Sequence, residues 1–331
     1  MVVGSLAVRS RLDESSDGGG GGNNGSGGGA LRLVCSTELG PVCEAIKGKD
    51  LTVSVEPAAT TAARLSTDDA GGPSSLDGWL VPSPWPEIVQ ASRQRAGLEP
   101  RLEAGPTLAR SPLVLAVWPD KLNVLRQRCA GGQVSWQCWG EVSGQPAAQI
   151  KPGHADVNEA VGLATVGAAT AGFFGRADLV RADLEENDQY RAWLSRLEKA
   201  VPTFQPTSGT AVRDMLVKGP AAFDAVATTE AEAAPLVATA ARPVKPMVIY
   251  PSPVTTVDVV LATVPGSGSK RLSAAAGGDD GLDALAAAGW RVAKRRPADG
   301  IPSQPELPPS SGLPDAGILE FLRTLSKEVT K

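Results

Sequence analysis

Leu31–Ile46, LRLVCSTELGPVCEAI, is the stretch whose reading decides the fold. Leu31, Leu33 and Val34 form a short apolar run, the pattern of a buried β-strand. Ser36 and Thr37 end that run, and their hydroxyls can accept hydrogen bonds from the free N–H groups that open a helix. A strand running into a helix N-terminus presents unpaired donors and a partial positive charge, which together can seat an anion or a polar ligand. Acting only as a cap, the two residues would be structural. At the end of the first strand of an open α/β sheet they are binding candidates too, because ligands gather at the carboxyl ends of the strands. Cys35 and Cys43 bracket the junction and, if joined, would hold the loop rigid.

Upstream of this stretch, residues 1–30 read as a disordered tether, since GGGGGNNGSGGG at 18–29 has no side chains with which to build a core. Such a tether commonly follows a signal peptide or membrane anchor, so an exported, cell-surface chain anchored through a removed or trimmed N-terminal segment is expected. The 331 residues allow one large or two medium domains, and the hydrophobic fraction of 42% suffices for a sizeable core. The net charge of −4 argues against nucleic-acid binding, which needs a basic face. Lys294, Arg295 and Arg296 are the one basic cluster and read as a solvated helix or strand end.

The four cysteines fall in two close pairs, Cys35 with Cys43 and Cys129 with Cys138. Zinc competes with disulfides as an explanation, but no C-x-x-C spacing occurs and His154 is the only histidine. Two local disulfides in an exported protein fit better. No metal and no cofactor is expected: there is no dinucleotide fingerprint, and GSGSK at 266–270 lacks the phosphate-loop spacing. Asp77, Glu87 and Asp156 are not spaced as a general acid opposite a general base. His154 has no nucleophile context and reads as a solvent-exposed loop histidine. The chain does not read as an enzyme.

Downstream, strand and helix patterns alternate. Leu51–Val55 and Trp79–Val81 read as strands, Thr60–Ser66 and Glu87–Ala96 as helices, and 71–75 as a loop. This order implies a largely parallel sheet with helices on both faces. Ser111–Val117 is a strongly apolar strand leading into the second cysteine pair. Glu159–Phe174 is a helix of small residues, short of a membrane span and therefore read as buried against a sheet. Asp188–Ala200 is amphipathic, with Tyr190, Trp193, Leu194 and Leu197 on one face. Thr207–Lys218 reads as a capped helix, Ala222–Ala227 as a strand, and Met247–Tyr250 with Thr255–Val264 as an apolar return segment. Leu282–Ala288 and Ala316–Glu328 are helical, with a Pro/Ser loop at 301–314 between them. Among Trp79, Trp85, Trp118, Trp136 and Trp139 one could stack on a ligand, but core packing suits most of them.

One α/β lobe, a crossing near 111–119, a second lobe and a return near 247–264 resemble a bacterial extracellular solute-binding protein of the type 2 periplasmic-binding fold. The residues carrying the resemblance are VCSTELGPVCEAI, LVPSPW, ARSPLVLAV, IKPGHADVNEAVGLATVGAATAGFFG, KGPAAFDAVATTEAEA and MVIYPSP, in that order along the chain. The resemblance implies a two-lobed "Venus-flytrap" α/β fold of mostly parallel sheets flanked by helices, with two hinge-crossing strands. Lobe I would comprise 31–115 plus 250–331 and lobe II 116–249. It further implies closure on a small polar solute or oxyanion for transport or sensing, with a membrane transporter or a fused surface domain as partner. The end, SSGLPDAGILEFLRTLSKEV, is similar to the end of such domains fused to von Willebrand factor A-like modules.

In molybdate- and phosphate-type relatives, hydroxyls and backbone N–H groups at loop ends hold the ligand. The matching groups would be Ser36, Thr37, Ser83 and Ser111 from lobe I, with Asn158 from lobe II and Tyr250 near the return hinge. Ser208 and Thr210, in TSGT, resemble a phosphate-receptor turn but fall later in the chain than that match requires. The chain departs from the pattern at Val157–Ala160 (VNEA), where relatives often carry Pro and Ser. Glu159 beside an anion seat would repel an oxyanion. That departure motivates a second reading, a cell-surface interaction module that keeps the fold without a small ligand.

Overall fold

The computed structural model describes residues 30–67, 76–266, 268–302 and 312–330. The tether up to residue 29, the 71–75 loop and much of the 301–314 loop lie outside them. The chain opens with three strand–helix units: β1 (Leu31–Ser36), α1 (Gly40–Ile46), β2 (Leu51–Glu56), α2 (Ala58–Leu65), β3 (Gly78–Pro82) and α3 (Trp85–Arg95). The long strand β4 (Glu103–Val117) then leaves this lobe. The second lobe holds α4 (Pro119–Arg128), α5 (Trp136–Ser143), β5 (Pro152–Gly153), α6 (Ala160–Phe174), α7 (Arg181–Glu185), α8 (Asp188–Ala200), α9 (Ser208–Lys218), β6 (Ala225–Thr229) and α10 (Glu230–Thr239). The chain returns through β7 (Met247–Ile249) and β8 (Thr256–Thr263) and ends in α11 (Ser269–Gly277), α12 (Asp279–Ala287) and α13 (Ala316–Val329).

The strands lie in the order β2-β1-β3-β8-β4-β6-β5, with β7 beside β4. β2, β1 and β3 are parallel, as are β5 and β6. β4 and β8 run antiparallel to each other, because one leaves the first lobe and the other comes back. At 15 residues, β4 spans about 50 Å at ~3.3 Å per residue and so belongs to both lobes. Its first part pairs with β8, while Leu113–Val117 pairs with β6 from Thr229 back to Ala225. The expected lobe boundaries, 115/116 and 249/250, fall inside β4 and just after β7.

Sequence reading starts this strand at Ser111, whereas it starts at Glu103. Glu103–Arg110 is mostly exposed and carries no apolar alternation; pairing with β8 holds it, and register shifts around Thr107 absorb Pro106. β6 begins at Ala225 rather than Ala222, and 121–148 folds largely into α4 and α5. Helices α10 and α11 had no clear apolar stripe to announce them.

The sheet is covered on both faces, and the two coverings differ. On one face a single apolar core runs through both lobes, taking in Trp79, Trp85, Leu113, Trp136, Val161, Trp193 and Leu319. Helix α13 seals it, packing on α3 of the first lobe and on α6 and α8 of the second. On the other face the core is split. Leu33, Cys35, Leu80, Leu261, Leu285 and Trp290 pack in the first lobe, and Val114, Ala116, Val212, Met215 and Phe223 in the second.

Helix α6 is buried along most of its length, as expected for a packed helix. No helix among the described residues is long and apolar enough to cross a membrane. Disulfides join Cys35 to Cys43 and Cys129 to Cys138. Trp79, Trp85, Trp118, Trp136 and Trp139 are all core residues.

His154 departs from expectation, since it is buried rather than exposed. Its Nδ1 lies 2.8 Å from the Ala155 carbonyl oxygen and its Nε2 lies 3.5 Å from Glu198 Oε1. Burial works against protonating the ring, but the facing Glu198 carboxylate, the Ala155 carbonyl and Asp156 together outweigh it and the pKa is raised. A single histidine in a polar loop segment gave no sign of this partner, which α8 supplies from far along the chain.

Candidate interlobe binding site

A cavity of about 320 Å³ lies where the split face divides. Thr37, Glu38 and Pro41 wall it from the end of β1 and the start of α1, and Ala287, Ala288 and Trp290 from the end of α12. The second lobe contributes Thr207, Gly209, Thr210 and Arg213 from α9, and Ala231, Glu232, Pro235 and Leu236 from α10. These segments follow strands or open helices, which places the cavity at the carboxyl ends of β1 and β6.

Two helix N-termini meet at this site, and each holds a carboxylate of the chain itself. Glu38, in the turn after β1, accepts a hydrogen bond from Val161 N in the first turn of α6 at 2.9 Å, across the lobes. Glu232 accepts one from Gly209 N at the start of α9 at 2.9 Å, and another from the Ser208 hydroxyl. Both satisfy donors that have no partner within their helix. Glycine is needed at 209, because a Cβ there would sit 2.8 Å from Glu232 Oε1. It is needed at 162 as well, where a Cβ would sit 2.1 Å from the Asp156 carbonyl oxygen and push the start of α6 away.

The carboxylates crowd one another. Burial, then the neighbouring Glu38 carboxylate, lift Glu159 to about 8. The same two causes in the same order lift Glu232 to about 7, against the hydrogen bonds of Ser208 and Gly209. Burial also raises Glu38, against the pull of the Val161 N–H. Like charges drawn out of water cannot all ionise cheaply. Glu38 Oε2, Glu159 Oε2 and the Thr37 hydroxyl are nonetheless buried with no hydrogen-bond partner among the described residues.

Next to the cavity stands a second cross-lobe joint. Glu230, fully buried at the start of α10, receives Arg291 Nε at 2.6 Å, Arg291 Nη2 at 2.9 Å and the Tyr250 hydroxyl. Arg291 is itself fixed to β4 by paired backbone bonds with Arg110.

The sequence candidates are distributed around these features. Thr37 lines the cavity and Ser36 lies buried beside it without capping the turn that follows. Ser111 is buried, and its hydroxyl accepts from Ala231 N at 3.0 Å, tying β4 to α10. Tyr250 is engaged by Glu230. Asn158 Oδ1 accepts from Lys327 Nζ at 2.6 Å and Arg323 Nη1 at 3.2 Å, and its carbonyl accepts from Ala59 N at 2.9 Å. Ser83 lines a separate hollow with Glu87, Asp258 and the start of α13. Sequence reasoning missed Glu38, Glu232, Arg213 and Trp290. A signal existed for Glu232: Thr229-Glu230-Ala231-Glu232 fits a capping box, in which Glu232 would turn back on its own helix. It reaches α9 instead, and only the fold brings α9 within range.

This architecture, two α/β lobes joined by crossing strands with a cavity between them, is the type 2 periplasmic-binding fold. No protein-family model and no curated protein matches the sequence. Solved structures agree on the fold at low identity. The ferric binding protein from Campylobacter jejuni matches with a TM-score of 0.59 at 9% identity, over 91% of this chain and 98% of its own. The periplasmic binding protein AfuA from Actinobacillus pleuropneumoniae, with fructose-6-phosphate bound, gives 0.56 at 12%, over 91% and 96%. The sulfate-binding protein SubI from Mycobacterium tuberculosis gives 0.52 at 16%, over 88% and 96%.

Proposed function

We propose that this chain is a non-enzymatic, extracytoplasmic solute-binding protein that holds a small polar solute between its two lobes for transport or sensing. The observation that carries this reading is the interlobe cavity, placed at strand ends and walled by both lobes. The structural neighbours, among them iron, sulfate and sugar-phosphate binders, support it through their shared fold. A ligand touching both lobes favours the closed arrangement, and the closed surface is what a membrane partner would read. Of the two ligand classes raised by the sequence, the polar solute is favoured over the oxyanion, because the chain's own carboxylates occupy the helix N-termini on which an oxyanion would sit. An open cavity with unpartnered polar groups also weighs against a module that has given up its ligand.

A thermal-shift screen against pooled sugars, amino acids, amines and oxyanions tests the reading. A ligand that saturates the site should raise the melting temperature by several degrees and alter the fluorescence of Trp290, an effect missing from Trp290→Phe. If no pool moves either signal on well-folded protein, the solute-binding reading fails.

A further inference from the structure

Resting on that reading, the chemistry of the cavity wall narrows the ligand to one class. The wall combines polar side chains, among them Thr37, Glu38, Thr207 and Glu232, with apolar ones, Pro235, Leu236 and the buried indole of Trp290. Glu38 is 6% exposed, and its Oε2 has no hydrogen-bond partner among the described residues. Only one of its oxygens is used by Val161 N, and the residue lines the cavity. Glu159, outside the cavity lining, is 4% exposed and has the Thr37 hydroxyl as a close neighbour. Buried acceptors of this kind are costly unless something supplies N–H or O–H groups and positive charge. The one cationic side chain in the described wall, Arg213, is solvent-exposed.

We propose that the interlobe cavity binds a small organic cation, an ammonium or guanidinium head on a compact apolar body. Glu38 receives the head, Glu232 adds negative charge to the wall, and Trp290 packs against the body. An aromatic wall suits such an ion, because the face of an indole attracts positive charge. A bare metal ion fits less well, since no group of three or more His, Cys, Asp or Glu side chains among the described residues is gathered to hold one. An oxyanion would meet the two glutamates of the wall, Glu38 and Glu232.

The experiment is isothermal titration calorimetry on the full chain with putrescine, agmatine, choline and arginine. Sulfate, phosphate, molybdate, glucose and calcium serve as the opposing set. Binding by at least one cationic probe and by none of the opposing set is the expected result. Glu38→Gln keeps an acceptor for Val161 N while removing the charge, and should weaken that probe by roughly 10- to 100-fold, the worth of a charge-assisted hydrogen bond. If this variant does not fold, Glu232→Gln, also in the cavity wall, is read in its place. At pH 7 the cation should also displace a proton, because Glu159 faces Glu38, Asp156 and Glu232 and titrates near 8. Titrations in two buffers of different ionisation enthalpy would detect that release.

Binding of an oxyanion, a neutral sugar or calcium alone overturns the cation class and leaves solute binding standing. Cation binding that ignores Glu38→Gln, or that releases no proton, moves the cation elsewhere and also overturns the proposal. If no probe of either set binds, the solute-binding reading falls together with the cation class.

Discussion

The two faces of the sheet join the same pair of lobes by opposite means. On one face, α13 and α6 carry an unbroken apolar core from lobe to lobe, with Leu319 and Leu322 fully buried. On the other face the cores stop short of each other, and a buried polar joint bridges the gap, Glu230 with Arg291 and Tyr250, while Glu38 at the end of β1 reaches across to the start of α6. Apolar burial is non-directional and indifferent to pH. A carboxylate joint depends on geometry, on protonation and on what else enters the cavity. The first face can therefore hold the lobes together while the second responds to a ligand.

The strongest way to break the polar joint is Glu230→Ala, which leaves Arg291 and Tyr250 without their buried partner. Loss of one member of such a pair should lower unfolding stability by about 3–5 kcal/mol, measured by chemical denaturation. A loss below about 1 kcal/mol would mean that water replaces the carboxylate and that the joint is not structural. On the apolar face, Leu319→Ala should cost about 2–5 kcal/mol through the cavity it leaves, and this cost should be the same at pH 5 and pH 8. A pH-dependent cost would erase the contrast between the faces.

Removing the Cys35–Cys43 link, which fixes the turn carrying Glu38, should cost about 2–3 kcal/mol for a loop this short. Cys35→Ser and Cys43→Ser compared by urea unfolding would check it, and a thiol count of four on native protein would refute the link. The smallest effect expected is the pH dependence of the polar face. Glu159 and Glu232 titrate higher in the folded state, near 8 and 7, than the usual carboxyl value of 4.5. Between pH 4.5 and 8 the unfolded chain therefore loses these protons first. Their contribution is fully present below pH 4.5 and fades as pH rises towards 8, by about 1–2 kcal/mol once water in the cavity is allowed for. Glu159→Gln should flatten that slope, and an unchanged profile would remove Glu159 from the account.

The order of strands and helices was legible because its signals are local. Leu31–Ile46 shows an apolar run, a hydroxyl pair and a paired cysteine within 16 residues, and each depends only on near neighbours. The amphipathic stripes of α8 and α13 are of the same kind, since a 3.6-residue period is written in the chain itself. The two-lobed architecture followed from the sequence of such signals. The exposed half of β4 was not legible, because Glu103–Arg110 is a strand only by virtue of β8, some 150 residues later. His154 was misread for the same reason: Glu198 reaches it only through the packing of α8.

The candidate site divides along the same line. Ser36, Thr37 and the TSGT turn were legible as strand and helix ends, because helix N-termini expose donors whatever the context. What fills those donors was decided by tertiary structure. Glu38 stands two residues after Ser36, yet its partner, Val161, is 123 residues away. Glu232 turns from its own helix to that of Gly209. From the sequence alone, then, came the fold and the exposed donors of its helix starts. The fold decided that the chain's own carboxylates sit on them, because a charge is placed by the three-dimensional meeting of segments whose separation along the chain carries no local pattern.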